Sequence, residues 1–491
     1  MPVIQIGRNE YDTWPPDDEQ SRARLENYRR ARLLFKGQHH DVFERVQRWL
    51  EREADRKLIY VVCNFAGLLS KVSADMLFGE PVRVSGPKAA DEKSSEAVTA
   101  IVANNDLHIT NYEMALSASW RGEAIYKVRY GKAGDWAEQP MAIIEAATPE
   151  IFWPILEEDN VRGLQGGVFG WIKRLGDRKY LRIERQLPGR IENELWLLDG
   201  SRIKQRSRLS VFPEYSELPD IQETGFPGLL FEFVPNWRLD DEFWGISDYY
   251  DLESIFDELN NRVSRISRVL DKHESPRLIL PPGIMKWDER HRRWYVEKED
   301  LEAIEVNPAE ESVGDLPRYL TWDAQLEAAF KQIDKLLELA FLVSETSPDA
   351  FGLGERGRAE SGRALRFRLL RLLAKISRKK LYFDAALTRA VYAAMYLEAK
   401  HGNGPEPVEP RIEWQDGLPQ DMLEAAQVEQ IRTGSKATTS VKSAVRRLDN
   451  LTGDELAEEL DAIAEDESSG VPAEPDRSGL NLNLDDDQGE I

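Results

Sequence analysis

Cysteine is nearly missing from this chain. Among 491 residues there is one, Cys63, which rules out an intramolecular disulfide and suits a reducing compartment. It stands in the apolar run Tyr60-Val61-Val62-Cys63, where a small core residue is the expected role, not a nucleophile. Long apolar runs are missing too. No stretch of about 18 such residues occurs, so no membrane-spanning helix is expected. Residues 1–19 are polar, carry Trp14-Pro15-Pro16 and lack an apolar signal core, so export is not expected. Histidine is scarce, and His39-His40 is the only pair. Helix neighbours do not share a face and no third ligand stands at metal-ligand spacing, so both are expected at the surface and no metal site is expected. None of GxSxG, HExxH, CxxC or GxxxxGK[ST] is present. Carboxylates are so numerous that no pair stands out as acid and base. No catalytic residue and no cofactor is therefore expected. The alternative is a carboxylate-dependent enzyme acting on nucleic acid or carbohydrate.

Positive charge is also short: 65 Lys and Arg face 88 Asp and Glu, a net of −23. The deficit is uneven. Residues 453–491 hold fourteen acids and one base, Arg477, a net of −13, which leaves −10 for the other 452. Tight phosphate binding by the whole surface needs clustered bases and is not expected. Asp485-Asp486-Asp487 and the Ser/Gly/Pro-rich stretch 468–479 read as a disordered acidic tail, 466–491.

What the chain does have is a helix–strands–helix block over 246–343. Leu252, Ile255, Phe256, Leu259, Val263, Ile266, Val269 and Leu270 step by threes and fours. So do Leu326, Phe330, Ile333, Leu336, Leu337, Ala340 and Phe341. Each set falls on one helix face. Between them, 276–321 has Pro and Gly breaks and strand-like runs at Arg277-Leu278-Ile279-Leu280 and Arg293-Trp294-Tyr295-Val296. A small β module on a two-helix stalk suits a part that reaches out and docks.

Around this block, residues 21–80 read as mostly helical. Ser21 is placed to cap the first helix, Gly37 to punctuate it, 42–50 to form a second, and 58–77 a third that stops at Gly79 before Pro81. A further helical stretch covers 94–121. From 124 to 234 the period changes to two, with strands at 126–130, 141–145, 168–173, 181–184, 191–198 and 229–234. Turns are expected at Gly166-Gly167, Pro188-Gly189, Asp199-Gly200 and Pro227-Gly228, giving a mainly antiparallel sheet. A helix of some forty residues follows over 358–401, then a Pro-rich stretch and short helices at 420–431, 440–448 and 454–463.

Gly352-Leu353-Gly354-Glu355-Arg356-Gly357 matches GxGxxG, but it follows Ser344-Glu345-Thr346-Ser347-Pro348 and a helix, not a buried strand. A flexible loop is expected in place of a dinucleotide site. The long helix is locally basic, with Arg363, Arg366, Arg371 and Lys375 among its bases. These are expected to contact acidic neighbouring subunits or DNA phosphates; the alternative is a salt-bridged face opposite the apolar stripe.

The order of these parts resembles the portal proteins of tailed bacteriophages, in particular the siphophage type. The likeness is carried by Asn27-Tyr28 with Lys36-Gly37-Gln38-His39, by Val62-Cys63-Asn64-Phe65-Ala66 running to Met76-Leu77-Phe78-Gly79-Glu80-Pro81-Val82, and by Phe256-Asp257-Glu258-Leu259-Asn260. Glu360-Ser361-Gly362-Arg363-Ala364-Leu365-Arg366-Phe367 and Asp416-Gly417-Leu418-Pro419, before Gly434 and Ser440, complete it. It spans roughly residues 25–450, and the acidic tail is a departure.

The resemblance implies an α+β, multidomain portal fold. Its parts would be an N-terminal arm (1–20), a wing, helical then β-rich (21–245), a stem helix (246–275), a clip (276–321), a second stem helix (322–343), a tunnel loop (344–357), a long wing helix and linker (358–410), and a helical crown (411–465). It implies a dodecameric ring at one capsid vertex, in the virion and in host cytoplasm during assembly, through which double-stranded DNA is packaged and ejected. Terminase would dock on the clip, with head-completion or adaptor proteins replacing it, and scaffold and major capsid protein would meet the wing. No membrane is involved. Within this frame Thr346, Ser347, Pro348, Asp349, Phe351, Gly352 and Gly354 would face DNA, and Trp287, Trp294 and Tyr295 would dock the motor.

Overall fold

A computed structural model of the chain describes residues 2–52, 60–87, 91–134, 139–274, 277–279, 286–295, 318–320, 326–354, 362–415, 422–434, 437–449, 451 and 453–468. The chain divides into two compact units, one of residues 1–359 with 364–417, the other of 360–363 with 418–491.

The first unit opens with a hairpin, β1 (Ile4–Ile6) and β2 (Asn9–Tyr11). The expected arm is thus a folded element. Ile4, Ile6 and Trp14 are buried against Val168, Leu181 and Ile183. Helix α1 (Glu19–Phe35) is capped by Asp18, whose carboxylate accepts the Ser21 backbone N–H at 2.9 Å. Ser21, expected as the cap, sits inside the first turn and is buried. Gly37, at φ +75°, turns the chain. Helices α2 (Glu44–Arg52) and α3 (Phe65–Phe78) follow. The third helix is shorter than expected. Residues 60–64 are not helical, because Asn64 caps α3 by accepting the Gly67 N–H at 3.0 Å. Strand β3 (Arg83–Ser85) leads to α4 (Glu92–Asn104) and α5 (Leu107–Arg121). Asp106, at φ +45°, divides what reads as one helical stretch into two.

The β-rich region holds β4 (Glu123–Gly131), β5 (Met141–Ala147), β6 (Phe152–Leu156), β7 (Leu164–Leu175), β8 (Arg178–Leu187), β9 (Arg190–Asp199), β10 (Arg202–Ser207), β11 (Ile221–Glu223) and β12 (Phe231–Pro235). One antiparallel sheet runs β10-β9-β8-β7-β6 with β11 on β9, and another runs β12-β4-β5. Gly166-Gly167, expected as a turn, lies inside β7. A Cβ on Gly167 would meet the Phe152 ring at 2.5 Å and the Phe231 ring at 2.7 Å, so these glycines serve close packing, not chain reversal. Phe152, Phe169 and Phe231 form a core where the two sheets meet. The turns at Gly189 and Gly200 stand as expected, at φ +82° and +65°.

Helix α6 (Glu253–Glu274) and helix α7 (Leu326–Val343) are the expected pair. Their inner ends join one core: Phe256 and Phe341 pack with Leu34, Phe65, Leu69, Trp120 and Tyr249. Between the two helices, β13 (Arg277–Ile279) pairs antiparallel with β16 (Arg318–Leu320), and β14 (Lys286–Asp288) with β15 (Arg293–Tyr295). The strand pair β13–β16 brings the two ends of this segment together. The rest of it lies outside the described residues.

The expected forty-residue helix is broken at Leu369 into α8 (Gly362–Arg368) and α9 (Leu370–Lys400). The buried side of α9 covers β4, β5 and β12 and reaches α3 and α4. Strand β17 (Arg411–Glu413), expected within the crown, pairs with β3.

The second unit contains α10 (Met422–Thr433), α11 (Val441–Leu448) and α12 (Gly453–Ser468). Ser440 caps α11 through the Ser443 N–H at 3.2 Å, and Ala444 and Leu456 are buried. Helix α12 runs three residues past the expected start of the tail, whose later part lies outside the described residues.

Candidate functional site

Where α7 ends, the chain is guided, not loose. The Ser344 and Thr346 N–H groups donate back to the Ala340 and Phe341 carbonyls at 3.0 and 2.9 Å. Glu345 takes a left-handed turn at φ +54°. Ser347 then caps a short 3-10 turn, Pro348–Phe351, which closes at Gly352 with φ +69°. Phe351 packs its ring on Phe65 and Phe341, centroids 5.4 and 5.3 Å apart. The segment 344–354 is therefore a built connection. Ser347 is buried and Phe351 faces the core, which corrects their expected position toward DNA. Pro348 and Gly352 are exposed, and Thr346, Asp349 and Gly354 are half-buried. Residues 355–357, the end of the GxGxxG match, lie outside the described residues. The start of the match follows a 3-10 turn, as its context implies.

The basic helix explains where the loop's acids go. Arg371 pairs with Glu345 at 3.1 Å, Arg378 joins the same carboxylate, and Arg368 pairs with Asp349 at 3.3 Å. This is the salt-bridged alternative for Arg371. Arg366 is exposed on α8, and the Arg363 side chain lies outside the described part.

Lys375 departs furthest from expectation. Its ammonium is buried, donating to the Ser344 carbonyl at 3.0 Å and pairing with Asp248 Oδ1 at 3.0 Å. A buried ammonium already satisfied this way is not offered to a neighbour or to DNA. Lys379 lies one turn on and pairs with Asp248 Oδ2 at 2.6 Å and Ser73 Oγ at 2.7 Å. Asn236 Nδ2 donates to Asp248 Oδ1 at 3.0 Å, and Ser119 Oγ donates to Oδ2 at 2.7 Å. Ser70 extends the network to Tyr249, oxygen to oxygen 2.6 Å, and Tyr249 donates to the Ala66 carbonyl at 2.8 Å. One carboxylate thus ties α3, α5, the β12–α6 connection, α9 and the start of the loop.

Burial alone would raise the Asp248 pKa. The two ammoniums and the donors outweigh it and hold the carboxyl well below its usual range. Burial pushes Lys379 the other way, down to about 8, against the pull of Asp248. Beside this centre lies a cleft of 730 Å³, walled by Trp237, Tyr250, Val343, Glu345, Arg378 and Leu381. Asp248 and Lys379 carry no motif. The available signal was that Lys375 and Lys379 share a helix stripe with Leu372, Ile376 and Phe383, so their charge needed an internal partner.

A second polar knot fixes the base of α6. His39 is buried, which corrects its expected surface place. Its Nε2 donates to the Leu34 carbonyl at 3.1 Å, so Nδ1 is the acceptor for Asn260 Nδ2 at 2.7 Å. The ring is neutral in this arrangement, and burial lowers its pKa. Asn260 Oδ1 accepts the Cys63 N–H at 2.7 Å. Cys63 itself is half-buried.

At the far end of α6 and α7, Trp287 is about half exposed, at 47%. It stands opposite Trp294 across the β14–β15 pair; the side chains of Trp294 and Tyr295 lie outside the described part. Among the described residues no three His, Cys, Asp or Glu gather as a metal site, and no helix is long and apolar enough to cross a membrane.

A family model described as phage portal protein, SPP1 Gp6-like, matches residues 16–472. No curated protein sequence matches the chain. Solved structures similar to it include the neck of an empty GTA particle computed with C6 symmetry, at 12% identity and TM-score 0.44, over 78% of this chain and 89% of that one. The neck of a native GTA particle computed with C12 symmetry gives 12% and 0.40 over the same shares. The virion of a native gene transfer agent particle gives 13% and 0.38 over 79% and 89%.

Proposed function

Because the chain belongs to the SPP1 Gp6-like family of phage portal proteins, we propose that it closes into a dodecameric ring at one capsid vertex of a virion. Double-stranded DNA would pass through this ring on packaging and ejection. The observation that carries the reading is the extent of the family match, which takes in every helix among the described residues, from α1 to α12. Helices α6 and α7, with 22 and 18 residues, span about 33 and 27 Å at 1.5 Å per residue. That length suits a channel wall, with their shared inner core holding them at one end. The segment between them is the clip, and its exposed Trp287 is an anchor of the kind that seats a docking partner. Terminase would bind there during packaging and head-completion or adaptor proteins afterwards. Scaffold and major capsid protein would meet the wing in the host cytoplasm.

The loop 344–354 is proposed to lie along the DNA path. Its acids are already paired with Arg368, Arg371 and Arg378, so it would offer DNA neither a cation to grip nor a naked acid to repel. Shallow contact of this kind suits a moving polyanion, because each phosphate contact deepens a bound state. No step in this role calls for covalent chemistry, and nuclease, ATPase and glycosidase assays are expected to be blank. Native mass measurement and negative-stain imaging of the purified chain test the reading. A mass near twelve chains and a ring with an axial channel are expected; a strict monomer at micromolar concentration and moderate salt would sink it.

A further inference from the structure

Strand β7 runs on beyond its neighbour. Its partner β6 ends with Phe152 opposite Phe169, while β7 continues to Leu175 and turns through Gly176-Asp177 into β8. The bonding direction along this overhang follows from the hairpin loops. In a two-residue loop the flanking residues exchange both backbone bonds, and the pattern then alternates along the strands. Leu175 and Arg178 flank one such loop, so Leu175, Lys173 and Trp171 bond to β8. Leu187 and Arg190 flank the next, and that loop requires the same alternation on β8. Val168 therefore turns its N–H and C=O toward β6, opposite Trp153. Ile172 and Arg174 turn theirs the same way, where no described strand lies beside them. An uncovered strand edge is a template for one more strand.

The side chains say what that strand carries. Ile172 is 52% exposed and Leu175 48%. Residues 172–179 hold four bases, Lys173, Arg174, Arg178 and Lys179, and one acid, Asp177. Lys173 is paired with Glu214 at 3.1 Å. Arg174, Arg178 and Lys179 are exposed, and none of the three has an ion-pair partner among the described residues. Arg174 stands directly opposite Lys179, on the same face as Ile172. Like charges directly opposite each other destabilise a strand pair, and an acid from outside would offset them. A strand added beside β7 sets an apolar residue across from Ile172 and an acid across from Arg174. On its other face an acid falls across from Lys173 and an apolar residue across from Leu175. A DNA duplex would meet the bases, but it offers no strand to the edge and no apolar cover for Ile172 and Leu175.

We propose that the β7 edge takes an extended, acidic peptide segment of a partner protein as an additional strand. The inference does not depend on the ring reading, because the edge lies within one chain. It is tested on the full chain by fluorescence anisotropy with a labelled Thr-Val-Glu-Glu-Val-Thr peptide, which fits in either strand direction. The controls are Thr-Val-Lys-Lys-Val-Thr, the acidic peptide with its Val and Glu amides N-methylated, and a labelled DNA duplex. The acidic peptide is expected to bind at least tenfold more tightly than either peptide control and to slow hydrogen exchange across 171–175. Arg174→Glu is expected to weaken that binding at least tenfold. Ile172→Pro removes an outward N–H and spares the ladder to β8, as proline on an edge strand can, and is expected to abolish it with the thermal transition unchanged. If Ile172→Pro unfolds the protein, the methylated peptide carries the backbone test. Absence of binding, equal binding of the acidic and methylated peptides, or protection confined to another region overturns the proposal. A duplex that binds more tightly than the acidic peptide and is lost with Arg174→Glu overturns it in favour of nucleic acid. A ring of native mass that fails these tests loses this edge site and keeps the ring reading; a monomer that passes them does the reverse.

Discussion

Replacing Asp248 by Asn keeps the shape of the side chain and removes the one negative charge facing Lys375 and Lys379. Side-chain exposures of 1% for Asp248, 9% for Lys375 and 4% for Lys379 leave little water to screen the change. Removing one partner of a buried ion pair typically costs about 3–5 kcal/mol. The Lys379 share can be bounded. With Asp248 present, its pKa already stands at about 8 against an ordinary 10.5, a cost of about 3 kcal/mol at 1.36 kcal/mol per tenfold. Once the carboxylate is gone the value falls further, and at pH 7 the lysine can release its proton. That escape caps its total cost at about 5 kcal/mol, so Lys379 adds only about 1–2. The rest of the loss falls on Lys375 and on the rearranged network.

The pH dependence gives the sharper test. A lysine with a depressed folded pKa binds fewer protons folded than unfolded, so its cost is relieved as pH rises from the folded value toward 10.5. In Asp248→Asn that relief begins at lower pH than in the parent, and the deficit shrinks between pH 7 and 10. On the acid side the parent carboxylate contributes stability that is present above its unfolded pKa and lost as pH falls through its depressed folded value. The deficit shrinks there too. Urea unfolding at fixed protein concentration, at pH 2.5, 7 and 9.5, reads both arms, the lowest pH lying below the ordinary aspartate value of 3.8. A cycle with Lys379→Met is expected to return a coupling of at least about 1 kcal/mol, within the usual range for touching residues. A deficit under 1 kcal/mol at pH 7, or one flat across pH with no coupling, would refute the argument that this carboxylate holds the junction.

Three further outcomes are expected. Phe351→Ala removes a ring packed on Phe65 and Phe341 and should cost about 3 kcal/mol; hydrogen exchange across 344–354 should speed up, and unchanged protection would show that the backbone bonds alone hold the loop. Trp287→Ala should spare ring mass and weaken terminase binding at least tenfold in a pull-down titration, because exposed aromatics of this kind anchor interfaces; unaltered binding removes Trp287 from the docking surface. Thr346→Lys with Gly352→Lys adds cations to a loop whose charges are balanced and should slow packaging, with an effect that fades as salt rises; an unchanged rate at low salt would place the loop away from DNA.

Much of the architecture was legible because periodicity reports which residues share a face. The α6 and α7 stripes and six of the strands appeared at nearly the expected positions. Sequence periodicity does not report what lies across that face. Lys375 reads as a surface contact until Asp248, 127 positions away in sequence, is seen to meet it. His39 reads as exposed until Asn260 closes over it. Gly166-Gly167 carries a turn composition but sits where two aromatic rings leave no room for a Cβ. Asp18 outcompeted Ser21 as a cap because its carboxylate stood one turn closer to the free N–H groups. The loop 344–354 has a mobile composition, yet arginines from α8 and α9 fix its acids. Short strands such as β3 and β17 lack any local pattern and exist only through their pairing.

That last pairing sets the order in which a newly made chain can mature. β3 emerges from the ribosome early, and its partner β17 emerges about 330 residues later. At about 5–20 residues per second the interval is on the order of tens of seconds. During it, the apolar side of β4, β5 and β12 also waits for α9. A translation product cut short before residue 370 would therefore carry an open sheet face, and would be recognised by chaperones or proteases before it could enter an assembly. Completion of the far end of the message acts as a quality check on the near end.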